Sequence, residues 1–283
     1  MTLYITHDAG LFSCTTICLV KIMEYYIHHG KLPDSINTQY QYAQYKPNNI
    51  YHTCIRNRFF IEDIQYKIPE NLIVTKTGGS VLTKSVEEDQ FSDYKDLKYD
   101  EILPFVKRYF VLSNDVKTKI KTLTDKYNLD YSNICGVFYR GNDKACETIQ
   151  PEYTKVIEKA KMIYNINPDI QFVVQTDENE FLNMFLEYFP NAIHFTEIPK
   201  INKAHSSIQF TLNDDEKIVK AQYYIASLWI LSQCKYVIHT SGNGEMWIAL
   251  FRENVNNMIQ YLRPIKTKND TEEKDYWITH INV

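Results

Sequence analysis

Between residues 135 and 262, short apolar runs of strand length alternate with stretches of helical period, joined by links of only a few residues. "CGVFY" (135–139) is followed by the helical spacing of "IQPEYTKVIEKAKMIYNIN", then by the strand "DIQFVVQTD" and the helix "ENEFLNMFLEYF". The strand "AIHFTEI" (192–198) comes next, and a polar loop from Pro199 to Thr211 leads to a long helix opening at "NDDE". Ile218, Ala221, Ile225, Leu228 and Leu231 form the buried stripe of that helix. "KYVIHTS", "GNGEMWIALFR" and "NMIQYL" complete the series as strand, helix and strand. Parallel strands need a crossover, and a helix of this length is the usual one, so the pattern predicts an α/β fold with a doubly wound parallel sheet in the C-terminal half.

The first half is less regular. "TLYITH" and "NLIVTK" read as strands, and "SCTTICLVKIMEYYIHHG" as an amphipathic helix closed by Gly30. "YDEILPFVKRYF" and "NDVKTKIKTLTDKYN" read as further helices, and "TKNDTEEKD" near the end as a solvated loop. The expected division is an N-terminal α/β domain over 1–128 and a Rossmann-like domain over 129–283. A length of 283 residues with 44% apolar side chains suffices for two such cores. The net charge of -4, without long blocks of one sign, argues against a nucleic-acid partner. No apolar run reaches the length of a membrane span, no secretory signal opens the chain, and the cysteines lack disulfide or zinc spacing. The expectation is a soluble, cytoplasmic protein with reduced thiols.

In an open parallel sheet, ligands bind beyond the carboxyl ends of the strands. The chain places its most reactive residues there: His7 to Gly10, Arg140 to Lys144, Thr176 and Asp177, and His239 to Asn243. Arg140 offers a permanent charge in a fork that matches phosphate oxygens, and Lys144 adds a second charge. Gly141 permits a tight turn or the close approach of a ligand, and Asp143 is suited to orient Arg140 or to bind a hydroxyl. Thr240, Ser241, Gly242 and Asn243 run straight into a helix, a setting that favours an anion. Each signal has a plainer reading: an ion-pair cluster for Arg140, a helix N-cap for Asp177, a capped turn for Ser241 and Gly242. The chain has no Asp-x-Asp pair, no G-x-G-x-x-G, no P-loop and no G-x-S-x-G elbow.

"GVFYRGNDK" resembles the H-x-R-x-G-D or H-x-R-R-T-D-K segment of the metal-independent fucosyltransferases of GT-B fold, the α1,6-, α1,2- and protein O-fucosyltransferases. "FVVQTDENEFL" is similar to the second element of that pattern, and "ILSQCKYVIHTSGNGEMW" to the third. The opening "HDAGLFSCTTICL" resembles the first glycine turn of these enzymes, and related chains occur in large DNA viruses and microbes. The sequence departs from the pattern at Phe138, at Gly242-Asn243 and at Ser227, which leaves the nucleotide base and the sugar open.

The resemblance implies two Rossmann-like domains and an inverting glycosyltransferase that needs no metal and no cofactor. Its co-substrate would be a nucleotide sugar, with GDP-fucose as one candidate, and its acceptor a glycan or protein hydroxyl. Arg140 would stabilise the leaving diphosphate, and Asp8, with His7 behind it, would serve as the base. Gly10, Asp177, Ser241, Gly242 and Asn243 would line the donor by this resemblance, and the strand-end reading adds Gly141, Asp143, Lys144 and Thr240. Two alternatives stay open: a non-catalytic module that binds nucleotide sugars or glycans, and an unrelated doubly wound enzyme acting on a phosphorylated metabolite.

Overall fold

A computed structural model describes residues 1–85, 89–203, 211–262 and 276–281. The predicted "TKNDTEEKD" loop and most of the polar loop before residue 211 lie outside the described residues. In chain order the elements begin with β1 (Thr2–Tyr4), α1 (Leu11–His29), β2 (Ser35–Asn37), β3 (Phe60–Ile61), α2 (Tyr99–Tyr109), β4 (Val111–Leu112) and α3 (Asn114–Tyr127). They continue with β5 (Ile134–Tyr139), α4 (Lys144–Glu147), α5 (Tyr153–Ile166), β6 (Gln171–Thr176), α6 (Asn179–Tyr188), β7 (Ile193–His194) and α7 (Lys217–Gln233). β8 (Tyr236–His239), α8 (Asn243–Arg252), β9 (Met258–Tyr261) and β10 (Trp277–Thr279) complete the described chain.

The chain forms two compact units, Met1–Lys119 with Leu212–Ala226, and Ile120–Thr211 with Ser227–Val283. In the first, β1 pairs in parallel with β2, and β3 pairs antiparallel with β4. α1 is its central helix: Cys14, Cys18, Leu19, Ile22 and Met23 are all fully buried. Gly30 ends α1 in the left-handed conformation at φ 63°, and its N–H bonds to the Tyr26 carbonyl. His28 and His29 occupy the last turn, where the helix dipole favours positive charge.

The second unit carries the predicted sheet. Its strand order is β10-β9-β8-β5-β6-β7, parallel throughout except for β10, which runs antiparallel to β9. β5 lies in the middle, and all six of its residues are buried, as a central strand covered on both faces requires. Tyr139, Val174, Phe172, Ile163 and Phe185 belong to the core under α5 and α6. Gly136 is where α7 approaches: a Cβ there would come 2.6 Å from Leu231 Cδ2 and 3.5 Å from Cys234 Sγ.

Three local expectations differ from the structure. "AIHFTEI" shortens to Ile193–His194, since this edge strand has a partner only in Val173 and Val174 of β6. "NLIVTK" forms no strand: Leu72 accepts a bond from the Tyr26 hydroxyl, and the Thr75 N–H donates to Glu101. The long helix begins at Lys217, and Asn213 and Asp214 of the "NDDE" run bond ahead of it to Glu216 and Lys217. The packing at Gly136 generates a prediction. Gly136→Ala should destabilise the protein by about 1–3 kcal/mol through overpacking, read as a lowered denaturation midpoint.

Candidate functional site

The sheet order fixes where the site can be. From β5 the chain winds outward through β6 and β7, then returns to the other side of β5 for β8 and β9. Strand order therefore reverses between β5 and β8, and a crevice at such a switch point is the expected ligand position. Phe138 is in register with His239, so the loops 140–144 and 240–243 leave neighbouring strands at the same end of the sheet. Arg140, Lys144, Thr240, Ser241, Gly242 and Asn243 thus share one edge. On the other flank, Tyr139 pairs with Thr176, which sets Arg140–Asn142 opposite Asp177 and Glu178.

This last register has the largest consequences. The Gly141 N–H donates to Asp177 Oδ1 at 3.0 Å, and the Asn142 N–H donates to Glu178 Oε1 at 2.7 Å. The Asn142 side-chain amide donates to the Asp177 carbonyl at 2.9 Å. Glu178 is fully buried, and its other carboxylate oxygen accepts the Tyr153 hydroxyl at 2.6 Å. Tyr153 is itself held by aromatic packing, edge-on to both Tyr139 and Phe181. Thr176 Oγ1 accepts the Glu178 N–H at 3.1 Å and so fixes the turn that aims this carboxylate inward.

These contacts change the reading of two residues. Gly141 was expected to make room for a ligand, whereas a Cβ at this position would collide with the Glu178 carboxylate. The glycine admits a side chain of the protein itself, and its N–H is already engaged. Asp177 was expected as a helix cap, but Glu178 occupies the N-cap position of α6 and no side chain caps the helix. Burial pushes the Asp177 carboxyl up to about 6 from 3.8, against the opposing pull of Arg140 and of the Gly141 N–H.

Arg140 reaches Asp143 through Nη2, at 3.0 Å and 3.3 Å to the two carboxylate oxygens, and both side chains are 23% exposed. Asp143 thus orients Arg140, one of its two expected roles. Lys144 pairs with Glu147 at 2.6 Å. On the β8 side the hydroxyls turn inward. Thr240 donates to Glu245 at 2.8 Å, and Ser241 donates to the Tyr261 carbonyl while accepting from Gln260 at 2.9 Å. Both hydroxyls are buried and bonded within the protein. No side chain caps α8 in a hydrogen bond, and Glu245 lies so near that a Cβ on Gly242 would come 2.7 Å from its Oε2. A carboxylate here is favoured by the helix dipole.

The remaining expected residues belong to the first unit. Asp8 is exposed, and Gly10 stands at the N-terminus of α1 with open space where a Cβ would project. His7 Nε2 lies 2.9 Å from Ser13 Oγ, and the Leu11 N–H donates to the Tyr45 hydroxyl at 3.0 Å. The sequence reading missed Glu178, Tyr153 and Glu245. Two successive carboxylates directly after a strand, beside a glycine loop, were the available signal.

No protein-family model and no curated protein matches the chain. Solved structures do. The NodZ alpha-1,6-fucosyltransferase co-crystallized with GDP aligns with a TM-score of 0.53 at 12% identity, over 92% of this chain and 94% of that one. The same enzyme soaked with GDP-fucose aligns with a TM-score of 0.56 at 12% identity, over 99% of both chains. The fucosyltransferase NodZ from Bradyrhizobium aligns with a TM-score of 0.49 at 12% identity, over 84% of this chain and 87% of its own. The first two place the chain in the GT-B-like α/β fold class of these fucosyltransferases. At this identity the likeness is one of fold.

Two outcomes follow from the site. Gly141→Ala should lower stability and displace the 140–143 loop, seen as large amide shifts at Asn142, Asp143 and Glu178 with the end of β8 unmoved. A carboxyl-detected titration should place the Asp177 midpoint near 6. Because its folded pKa lies above its unfolded value, this group's contribution to stability falls as pH rises from 3.8 to about 6 and is constant above that. Asp177→Asn should remove that slope in denaturation midpoints measured across the window.

Proposed function

We propose that the protein is a glycosyltransferase that moves a sugar from a nucleoside-diphosphate donor to a hydroxyl of a glycan or protein. The observation that carries the reading is the place of Arg140. It follows the central strand at the switch point, beside the N-terminus of α8, in a fold shared with an enzyme crystallised with GDP and GDP-fucose. Departure of a nucleoside diphosphate leaves charge on the β-phosphate, and Arg140 with the α8 dipole would stabilise it without a metal. Ion pairing with Asp143 holds the guanidinium in advance, so little reorganisation is needed when that charge develops. Glu178 and Tyr153 serve by fixing the loop from which Arg140 projects. Asp8 is proposed as the acceptor's base, with inversion at the anomeric carbon and fucose as one candidate sugar.

A second reading is favoured by the carboxylates. Asp143 and Glu147 pair with both cations of the loop, and Asp177, Glu178 and Glu245 stand close by. Such a setting also suits a hydroxyl-rich glycan or nucleotide sugar bound without turnover.

Thermal unfolding with GDP, UDP, CMP, ADP or NAD, each with EDTA, tests the donor assignment. A ligand at about 100 times its Kd should stabilise the protein by about 2.7 kcal/mol. One nucleoside diphosphate should raise the midpoint in the presence of EDTA, and Arg140→Ala should abolish the rise. Absence of any shift would remove the donor site. Release of nucleoside diphosphate from the matching nucleotide sugar then separates transferase from binding module. In the transferase, Arg140→Ala should cost about 3 kcal/mol of barrier or more, while Asp8→Asn should lower turnover with donor affinity unchanged.

A further inference from the structure

A cavity lies at the C-terminal end of α1, within the first unit. It is a space of about 360 Å³ beside Gly30, lined by Tyr26, Lys31, Ile64, Lys67, Glu70 and Arg108 among others. The 19 residues of α1 separate it from the Gly10 turn by about 28 Å. Three cations and one carboxylate are among the cavity's lining residues. Among the described residues, neither Lys31 nor Lys67 is held in an ion pair, and the Asp34 carboxylate near Lys31 is taken up by the N-terminal ammonium. Arg108 is anchored: its Nη1 donates to the Asp63 carbonyl, its guanidinium lies 5.6 Å from the centre of the Tyr109 ring, and its buried Nε has no hydrogen-bond partner. Of the apolar residues in the lining, Ile64 is 64% exposed.

We propose that this cavity binds a small amphipathic anion, a phosphate or carboxylate carried on a ring or a short apolar group. The acid group is held by Lys31, Lys67 and Arg108, and the apolar body covers Tyr26 and Ile64. Volume, charge and the exposed Ile64 agree on such a ligand: the space falls in the range of small-molecule sites, the cations exceed the acids in the lining, and a ligand body would cover Ile64. The test is calorimetric titration at constant ionic strength with phenyl phosphate, benzoate and inorganic phosphate. Phenyl phosphate or benzoate should bind saturably and about tenfold more tightly than inorganic phosphate. Lys31→Gln with Lys67→Gln, both exposed and far from the folding core, should weaken that binding by about tenfold with the melting midpoint unchanged. Ile64→Ser should erase the advantage of the ring-bearing anion over inorganic phosphate. Equal affinity for all three probes, or a double variant that binds as the wild type does, would overturn the proposal.

Discussion

The arrangement of the candidate site depends on one buried carboxylate. Glu178 joins the Asn142 N–H to the Tyr153 hydroxyl, and through them it ties the loop after β5 to the first turn of α5. A buried carboxyl group is tolerable only when its oxygens are hydrogen-bonded, and here each oxygen accepts one short bond from a rigid donor. Gly141 must then lack a side chain, and Thr176 must turn the Glu178 backbone inward. Removing the carboxylate would strand the Asn142 N–H in the interior, and with it the geometry of Arg140. The position of the charged fork is thus set by groups bonded to one another inside the protein.

A second consequence concerns electrostatics. The expected phosphate cradle is supplied with carboxylates by the protein itself: Asp177 and Glu178 on the β5 side, Glu245 against Gly242. The backbone N–H groups of Gly141 and Asn142 are therefore structural. An anion at the switch point would rely on the Arg140 side chain and on the dipole of α8, and its charge would compete with Asp143 for the guanidinium. The raised pKa of Asp177 comes first from its burial, and Glu178 and Asp143 add to it. It also links this edge of the site to pH near 6 without any histidine.

Much of the second unit was legible because its signals are long-period and redundant. The alternation of apolar runs with helical stripes requires a parallel sheet, and strand ends then mark the edge where Arg140, Asp177 and Gly242 fall. Side-chain direction was not legible in the same way. "HTSGN" reads as a cluster of ligand-facing hydroxyls, yet Ser241 and Thr240 are spent on Tyr261 and Glu245, partners 20 and 5 residues away. "RGNDK" reads as a loop opened by glycine for a ligand, and only the register of β5 with β6 reveals that Glu178 fills that opening. In the first half the strands are two or three residues long, too short for a period to show. The segment "NLIVTK" has strand composition but no partner strand among the described residues, so local preference had nothing there to pair with.

In the proposed function the Arg140 side chain and the N-terminus of α8 hold a nucleoside diphosphate, while the two carboxylates retain the Gly141 and Asn142 amides. Amide and guanidinium chemical shifts recorded while GDP and then UDP are titrated into the labelled protein test this directly. The prediction is that Arg140 Nε and the amides of residues 242–245 move together and saturate, while those of Gly141 and Asn142 keep their carboxylate-bonded positions. Largest shifts at Gly141 and Asn142, or none at either strand end, would contradict it.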